Sequence, residues 1–294
     1  MSATMKALLY EGPEQMHLRD VPLPELKQDE VLIEVAYAGI CGSELSGYLG
    51  KNSLRKPPLI MGHEFSGRIV KLGDKALSCK VGDRVTVNPL ISCRNCSDCL
   101  SGRAQLCAQR RLLGAHLPGA YAQYIAVPVS SVFPLPEQVS LQQAALTEPL
   151  ACAVHIARLA RFNPTDRLFI AGAGPIGLLT LLAAKRFGVE TIVVQDINAN
   201  RLEIVSALGG RPVHADEPLD GQPFTVSVDA VGLGITRKLC AERARPGGRV
   251  IFSGLHDESS ELPVNLAVRN ELTLQGVFAY APSDFETALQ WIAE

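Results

Sequence analysis

The sequence predicts an α/β protein of two domains, a small β-barrel followed by a doubly wound parallel sheet. Three observations carry that expectation. The chain has 294 residues, 47% of them hydrophobic and 20% charged, which is more than one core usually gathers. Its first half is a series of short β-branched runs punctuated by glycine and proline. Its second half opens with a strand, a glycine-rich turn, a helix and another strand, the order that builds a parallel sheet.

The elements follow in order. Residues 31–37 (Val-Leu-Ile-Glu-Val-Ala-Tyr), 65–70, 84–87 and 121–127 read as strands at the spacing of a small barrel. The domain boundary falls near Glu148, giving domains of residues 1–148 and 149–294, with a helix over 151–161 leading into the second. Residues 167–171 form a short apolar strand, Gly172-Ala173-Gly174-Pro175-Ile176-Gly177 a turn, 178–187 an apolar helix, and 191–196 a strand ending on Asp196. Strands are expected again at 249–253 and at 272–280, the latter an apolar sheet edge.

Cys93, Cys96, Cys99 and Cys107 stand at C-x2-C-x2-C-x7-C spacing in a lobe, residues 90–108, made largely of polar residues and breakers. Such a lobe has little apolar material of its own, and a tetrahedral all-thiolate zinc site supplies the missing stability. A disulfide pair or four unrelated thiols are the alternatives. Nothing signals export, because the start turns acidic and proline-bearing at Glu11-Gly12-Pro13-Glu14 and lacks a signal peptide's apolar core. Eight cysteines in that setting point to reduced thiols and a cytoplasmic location. The net charge of −2, with no basic run among aromatics, argues against nucleic acid as a partner, and no stretch approaches a membrane span.

Gly172, Gly174 and Gly177 form G-x-G-x-x-G after a strand and at the start of a helix. The first glycine allows the tight turn, the second admits a pyrophosphate, and the third lets helix pack on strand. The helix N-terminus offers free N–H groups and partial positive charge to phosphates. Asp196, nineteen positions beyond Gly177, ends the next strand, where a carboxylate accepts from both ribose hydroxyls and repels a 2′-phosphate. The cofactor expected is therefore NAD rather than NADP.

Cys41-Gly42-Ser43, Gly62-His63-Glu64 and Glu148-Pro149-Leu150, with the four-cysteine lobe, the glycine motif, the Asp196 strand and Pro246-Gly247-Gly248-Arg249-Val250, carry a resemblance that covers essentially the whole chain. The sequence resembles the zinc-dependent medium-chain alcohol dehydrogenases, in particular their polyol, threonine and butanediol branch. The resemblance implies a GroES-like barrel as the first domain and a Rossmann fold as the second, with substrate and nicotinamide meeting between them. It makes Cys41 and His63 ligands of a catalytic zinc, with Glu64 and Glu148 competing as the carboxylate ligand. A mixed S/N/O set with one exchangeable position is what a catalytic zinc requires. Ser43, with Glu148, falls in the catalytic set and passes the alcohol's proton toward the cofactor ribose. Pro175, Ile176, Asp196 and Arg201 match cofactor contacts, and Ser253, Gly254, Leu255, Val277 and Phe278 match segments bordering the nicotinamide. His116, His155, His214 and His256 lack partners at ligand spacing and are expected at the surface or lining a cleft. Cys79, Cys152 and Cys240 are expected as small buried hydrophobes.

The chain departs from that family in three places. Ser46 replaces a histidine that finishes the proton relay in many relatives, which leaves the route beyond Ser43 open and argues against threonine as substrate. Only eighteen residues separate Gly210 from Asp229, too few for the usual helix there. The sequence runs to Glu294, about fifty residues short of the family's return to the barrel, so a less active and less stable protein is expected. The function expected is oxidation of a secondary alcohol, a diol or polyol, by an NAD- and zinc-dependent homodimer or homotetramer with two zinc ions per chain. A threonine 3-dehydrogenase and a weakly active NAD- and zinc-binding remnant are the alternatives.

Overall fold

Runs of β-branched residues become strands here because alternate positions reach a common core. The computed structural model describes residues 4–219 and 221–294. Contacts divide the chain into two units, one holding the residues up to Glu148 together with Ala281–Glu294, the other holding Pro149–Tyr280.

In the first unit the elements are β1 (Thr4–Gly12), β2 (Gln15–Pro22), β3 (Glu30–Ala38), α1 (Gly42–Tyr48), β4 (Leu59–Ile60), β5 (Phe65–Leu72) and β6 (Arg84–Val87). The lobe follows as β7 (Leu90–Ile91), α2 (Ser97–Leu100) and β8 (Arg111–Leu112), and then come β9 (Tyr124–Pro128), β10 (Val132–Pro134) and α3 (Leu141–Ala144). The strands lie in the orders β2-β1-β4 and β10-β6-β5-β3-β9, with β7 and β8 a separate ribbon. Val31 and Ile33, two apart on β3, are fully buried and pack with Phe65, Ile69, Val85 and Val127. The strand expected over 121–127 begins only at Tyr124. Residues 121–123 instead bond to β1, through Leu8 N–H to the Tyr121 carbonyl and Gln123 N–H to the Lys6 carbonyl, and so tie the two sheets together.

The second unit begins within α4 (Thr147–Ala160) and continues with β11 (Arg167–Ala171), α5 (Pro175–Arg186), β12 (Thr191–Asp196), α6 (Ala199–Ala207) and β13 (Arg211–His214). It then runs through β14 (Phe224–Asp229), α7 (Gly234–Arg243), β15 (Ala244–Phe252), α8 (Val264–Arg269) and β16 (Thr273–Gly276). Its six strands are all parallel, in the order β13-β12-β11-β14-β15-β16, so the strand order reverses beside β11. In such sheets ligands bind beyond the carboxyl ends of the strands at that reversal. No helix lies between β13 and β14 among the described residues.

Two expectations need correction. The strand expected over 272–280 is limited to Thr273–Gly276, bracketed by Glu271 and Ala279, whose positive φ angles of 49° and 47° turn the chain at each end. The second domain, expected to run to residue 294, ends at Tyr280. The last helix, α9 (Pro282–Ala293), belongs to the first unit, because its apolar face (Phe285, Ala288, Leu289) is buried there. Phe285 stacks at 4.9 Å on Phe133 of β10, and Gln138 Nε2 donates to the Ala293 carbonyl at 3.1 Å.

Candidate active site and metal centres

The fold gathers Cys41, His63 and Glu64 in the first unit, with one donor atom from each lying within 4.8 Å of the others. Cys41 caps the start of α1, and His63 and Glu64 end the segment leading into β5. Gly39 makes room for the carboxylate, since a Cβ there would sit 2.3 Å from Glu64 Oε2. Glu148, at the head of α4, adds its charge to both His63 and Glu64. Burial, reinforced by the Glu148 charge, raises the Glu64 carboxyl to about 7.

Nothing local in the sequence marks the residue that organises this set. Glu44, one turn into α1 and 2% exposed, accepts four hydrogen bonds. Its Oε1 takes the Gly62 N–H at 2.9 Å and His63 Nδ1 at 2.7 Å, and its Oε2 takes the Cys41 N–H at 2.9 Å and the Tyr121 hydroxyl at 2.5 Å. Burial opposes ionisation of Glu44, but these donors outweigh it and hold its carboxyl below the ordinary range. For His63, burial is likewise outweighed by the Cys41 and Glu44 contacts and the neighbouring carboxylates, and its pKa lies well above the ordinary value. With Nδ1 committed to Glu44, Nε2 is the ring atom left for a metal, as in carboxylate–histidine–zinc arrangements. Tyr121 stays protonated well above its usual range, through burial and the Glu44 charge.

Ser43 Oγ donates to Cys41 Sγ at 3.3 Å and accepts from Arg55 Nη2 at 3.0 Å. The expected catalytic hydroxyl thus stands beside the expected thiolate ligand.

In the lobe, Cys93, Cys96, Cys99 and Cys107 also bring their sulfurs within 4.8 Å of one another. The Cys93–Cys99 and Cys93–Cys107 sulfur separations are 3.8 and 3.5 Å. A tetrahedron with Zn–S bonds of about 2.3 Å has edges of about 3.8 Å, so the four thiols fit zinc as they stand. The Asn95 and Cys96 N–H groups point at Cys93 and bring its thiol down to about 6, which favours the thiolate a metal needs. No disulfide joins the cysteines among the described residues.

In the second unit the nucleotide motif lies at the strand-order reversal. Gly172 follows β11 with φ of 104°, and Gly177 packs so closely on it that a Cβ would lie 1.9 Å from the Gly172 carbonyl oxygen. Gly174 caps α5 with Pro175 behind it, and a Cβ on Gly174 would meet open space, the room a pyrophosphate needs. Ile176 follows in the first turn of α5. Asp196 ends β12, accepting from the Ala173 N–H at 2.6 Å and the Asn198 N–H at 2.8 Å, with Arg201 Nη1 4.0 Å away. Each carboxylate oxygen retains a lone pair for a ribose hydroxyl. Ser253, Gly254 and Leu255 follow β15, and Val277 and Phe278 follow β16, at the same carboxyl edge. The Ser253 hydroxyl donates to the Asp229 carbonyl at 3.0 Å. His155, expected at a surface or cleft, is instead 3% exposed and paired with Arg158 at 2.8 Å. Cys79 and Cys240 are buried and Cys152 is half-buried.

The family model of the alcohol dehydrogenase GroES-like domain matches residues 27–137, and that of the zinc-binding dehydrogenases matches residues 175–294. The chain belongs to the zinc-dependent medium-chain alcohol dehydrogenase family, and it is an oxidoreductase of that family. It is 34% identical to sorbitol dehydrogenase of Bacillus subtilis over 294 aligned residues, covering 94% of this chain and 83% of that protein. It is 33% identical to D-xylulose reductase A of Aspergillus oryzae, covering 98% of this chain and 86% of that protein. Among solved structures, the NADH complex of an alcohol dehydrogenase (rspB) from E. coli CFT073 superposes with a TM-score of 0.93 at 30% identity, covering 99% of this chain and 88% of the other.

Proposed function

We propose that this protein oxidises a secondary alcohol, a diol or polyol, to a ketone with NAD as hydride acceptor. The observation that carries the reading is the mixed Cys41, His63 and Glu64 donor set beside the Ser43 hydroxyl. When bound, zinc supplies Lewis acidity to the alcohol oxygen and NAD supplies the hydride acceptor.

The chain's own residues do the rest. Cys41, His63 and either Glu64 or Glu148 hold the ion. Glu44 fixes His63 in the tautomer that presents Nε2. Ser43 Oγ accepts the alcohol's proton as it hands its own on toward the cofactor ribose and solvent. The four lobe cysteines hold a second, structural zinc. Gly174, the α5 N-terminus and Asp196 bind the pyrophosphate and ribose, and Asp196 disfavours a 2′-phosphate. The sorbitol- and xylulose-acting relatives support a polyol over threonine, as does Ser46 in place of a relay histidine.

The exposed strand β16 edges its sheet and offers unpaired backbone groups to a symmetry mate, which supports a homo-oligomer. Eight cysteines with no disulfide among the described residues support a cytoplasmic location. Among the described residues, no helix is long and apolar enough to cross a membrane. Steady-state reduction of NAD with a panel of diols, polyols and threonine tests the reading. Turnover of polyols or diols above threonine is expected, and turnover of threonine alone would overturn it.

A further inference from the structure

Arg55 is the least explained charge in the first unit. It lies in the segment between α1 and β4, yet it is only 4% exposed. Nη2 donates to Ser43 Oγ at 3.0 Å, while Nε is buried without a partner. Burying a guanidinium is costly, and one neutral hydrogen bond does not offset it. The fold nonetheless builds a channel for this side chain. Gly47 of α1 lies against its stem, and a Cβ there would sit 2.3 Å from Arg55 Cδ. Asn52, whose carbonyl accepts from the Arg55 N–H at 3.2 Å, sends Nδ2 to the Ser43 carbonyl at 3.4 Å. The 52–55 segment therefore grips Ser43 at both its backbone and its hydroxyl.

Negative charge on its other side offsets part of that cost, though burial still lowers the Arg55 pKa. Its charge interacts with Cys41 and Glu44, in a pocket that also holds Glu64 and Glu148. Ser43 Oγ stands 3.0 Å from the guanidinium and 3.3 Å from Cys41 Sγ, so a fixed positive charge lies beside the donor set and offsets part of its negative charge.

We infer that Arg55 is a positioning residue of the active site, which orients the Ser43 hydroxyl and supplies the counter-charge that lets the Cys41–His63–Glu64 set retain its metal. With an Arg55 N–H on one lone pair and its own hydrogen on Cys41 Sγ, Ser43 Oγ presents its second lone pair to the substrate's hydroxyl hydrogen. Arg55 has no acceptor, so as Ser43 takes the substrate's proton its own hydrogen turns from Cys41 Sγ toward the cofactor ribose or solvent. The inference rests on the proposed alcohol oxidation for its catalytic half and not for its metal half.

The experiment compares Arg55→Met, Arg55→Lys and Gly47→Ala with the native zinc-loaded protein. Two readouts are taken: kcat and KM per zinc-loaded site with the best alcohol, and zinc released to a graded chelator. Arg55→Met should lower kcat about tenfold or more with KM for NAD unchanged, and should release one zinc equivalent at about tenfold less chelator while the lobe's zinc stays. Arg55→Lys, which restores the charge without the fork, should recover zinc retention but not full kcat. Native-like kcat and retention in Arg55→Met, within about twofold, would overturn the inference, as would a loss of thermal stability alone. Should Arg55→Met not fold, Gly47→Ala decides, because it displaces the guanidinium without removing it; unchanged kcat and retention there refute the inference. If the native protein oxidises no alcohol in the panel, the proposed function fails, and the chelator series still decides the metal half.

Discussion

Replacing Glu44 by Gln changes one atom and tests the whole metal centre. The amide keeps an oxygen for the Gly62 N–H and His63 Nδ1, but it turns an NH2 group toward the Cys41 N–H. Tyr121 escapes the clash by relying on the Gly39 carbonyl, which it already meets at 2.9 Å. The Cys41 N–H has no such exit, and an orphaned buried donor costs about 1–3 kcal/mol. The bond to His63 also drops from charge-assisted to neutral, a loss of about 1 kcal/mol. Both losses fall on residues proposed to hold the ion. A weakening of about 10–100-fold in zinc retention is therefore expected, the range seen when a ligand's supporting carboxylate is removed. The assay is elemental analysis after dialysis against a graded chelator, with the four-sulfur lobe as internal control. Native protein should start near two zinc ions per chain, and the variant should fall to one at correspondingly less chelator. Equal retention by variant and native would refute the reasoning, and so would simultaneous loss of both ions.

Cys93→Ser should do the opposite, removing the lobe's zinc, leaving about one equivalent and opening residues 90–108 to protease, as limited proteolysis would reveal. Asp196→Ser should weaken NAD and admit NADP, shifting the kcat/KM ratio by on the order of tenfold or more; native protein using both equally would contradict the ribose assignment. Asp166, 4% exposed, accepts from the Asn163 N–H and Nδ2 at 3.0 Å each, from Thr225 Oγ1 at 2.7 Å and from Arg249. Asp166→Ala removes the carboxylate partner of Arg249, which keeps the Ala160 and Arg161 carbonyls; those bonds and its partial exposure limit the damage to about 2–3 kcal/mol by chemical denaturation.

Much of this architecture was legible because the signals were local. The residues of β3, β5, β6, β11 and β12 carry β-branched runs, and the turn at 172–177 combines glycines with a following helix in one short stretch. The four lobe cysteines lie within fifteen residues and fold as their spacing implies. The support of the catalytic set was not legible, because its members meet only in three dimensions. Glu44 reaches His63 across nineteen positions and Tyr121 across seventy-seven, and no periodicity marks either pair. Arg55 looks in sequence like any loop cation. The run at 272–280 misleads for the converse reason, since its apolar residues resemble a strand while the backbone turns at Glu271 and Ala279.

The placement of α9 bears on how the chain is made. Phe133 and its ring partner Phe285 are 152 positions apart, with the whole second unit between them. At about 5–20 residues per second, the ribosome delivers that partner on the order of ten to thirty seconds after Phe133. During that interval the surface around Phe133 is bare while Pro149–Tyr280 is still being synthesised. Synthesis therefore has a vulnerable window set by chain connectivity. A chaperone that shields apolar surface should bind ribosome-stalled chains that include Phe133 but end before Phe285, and should release them once α9 has emerged.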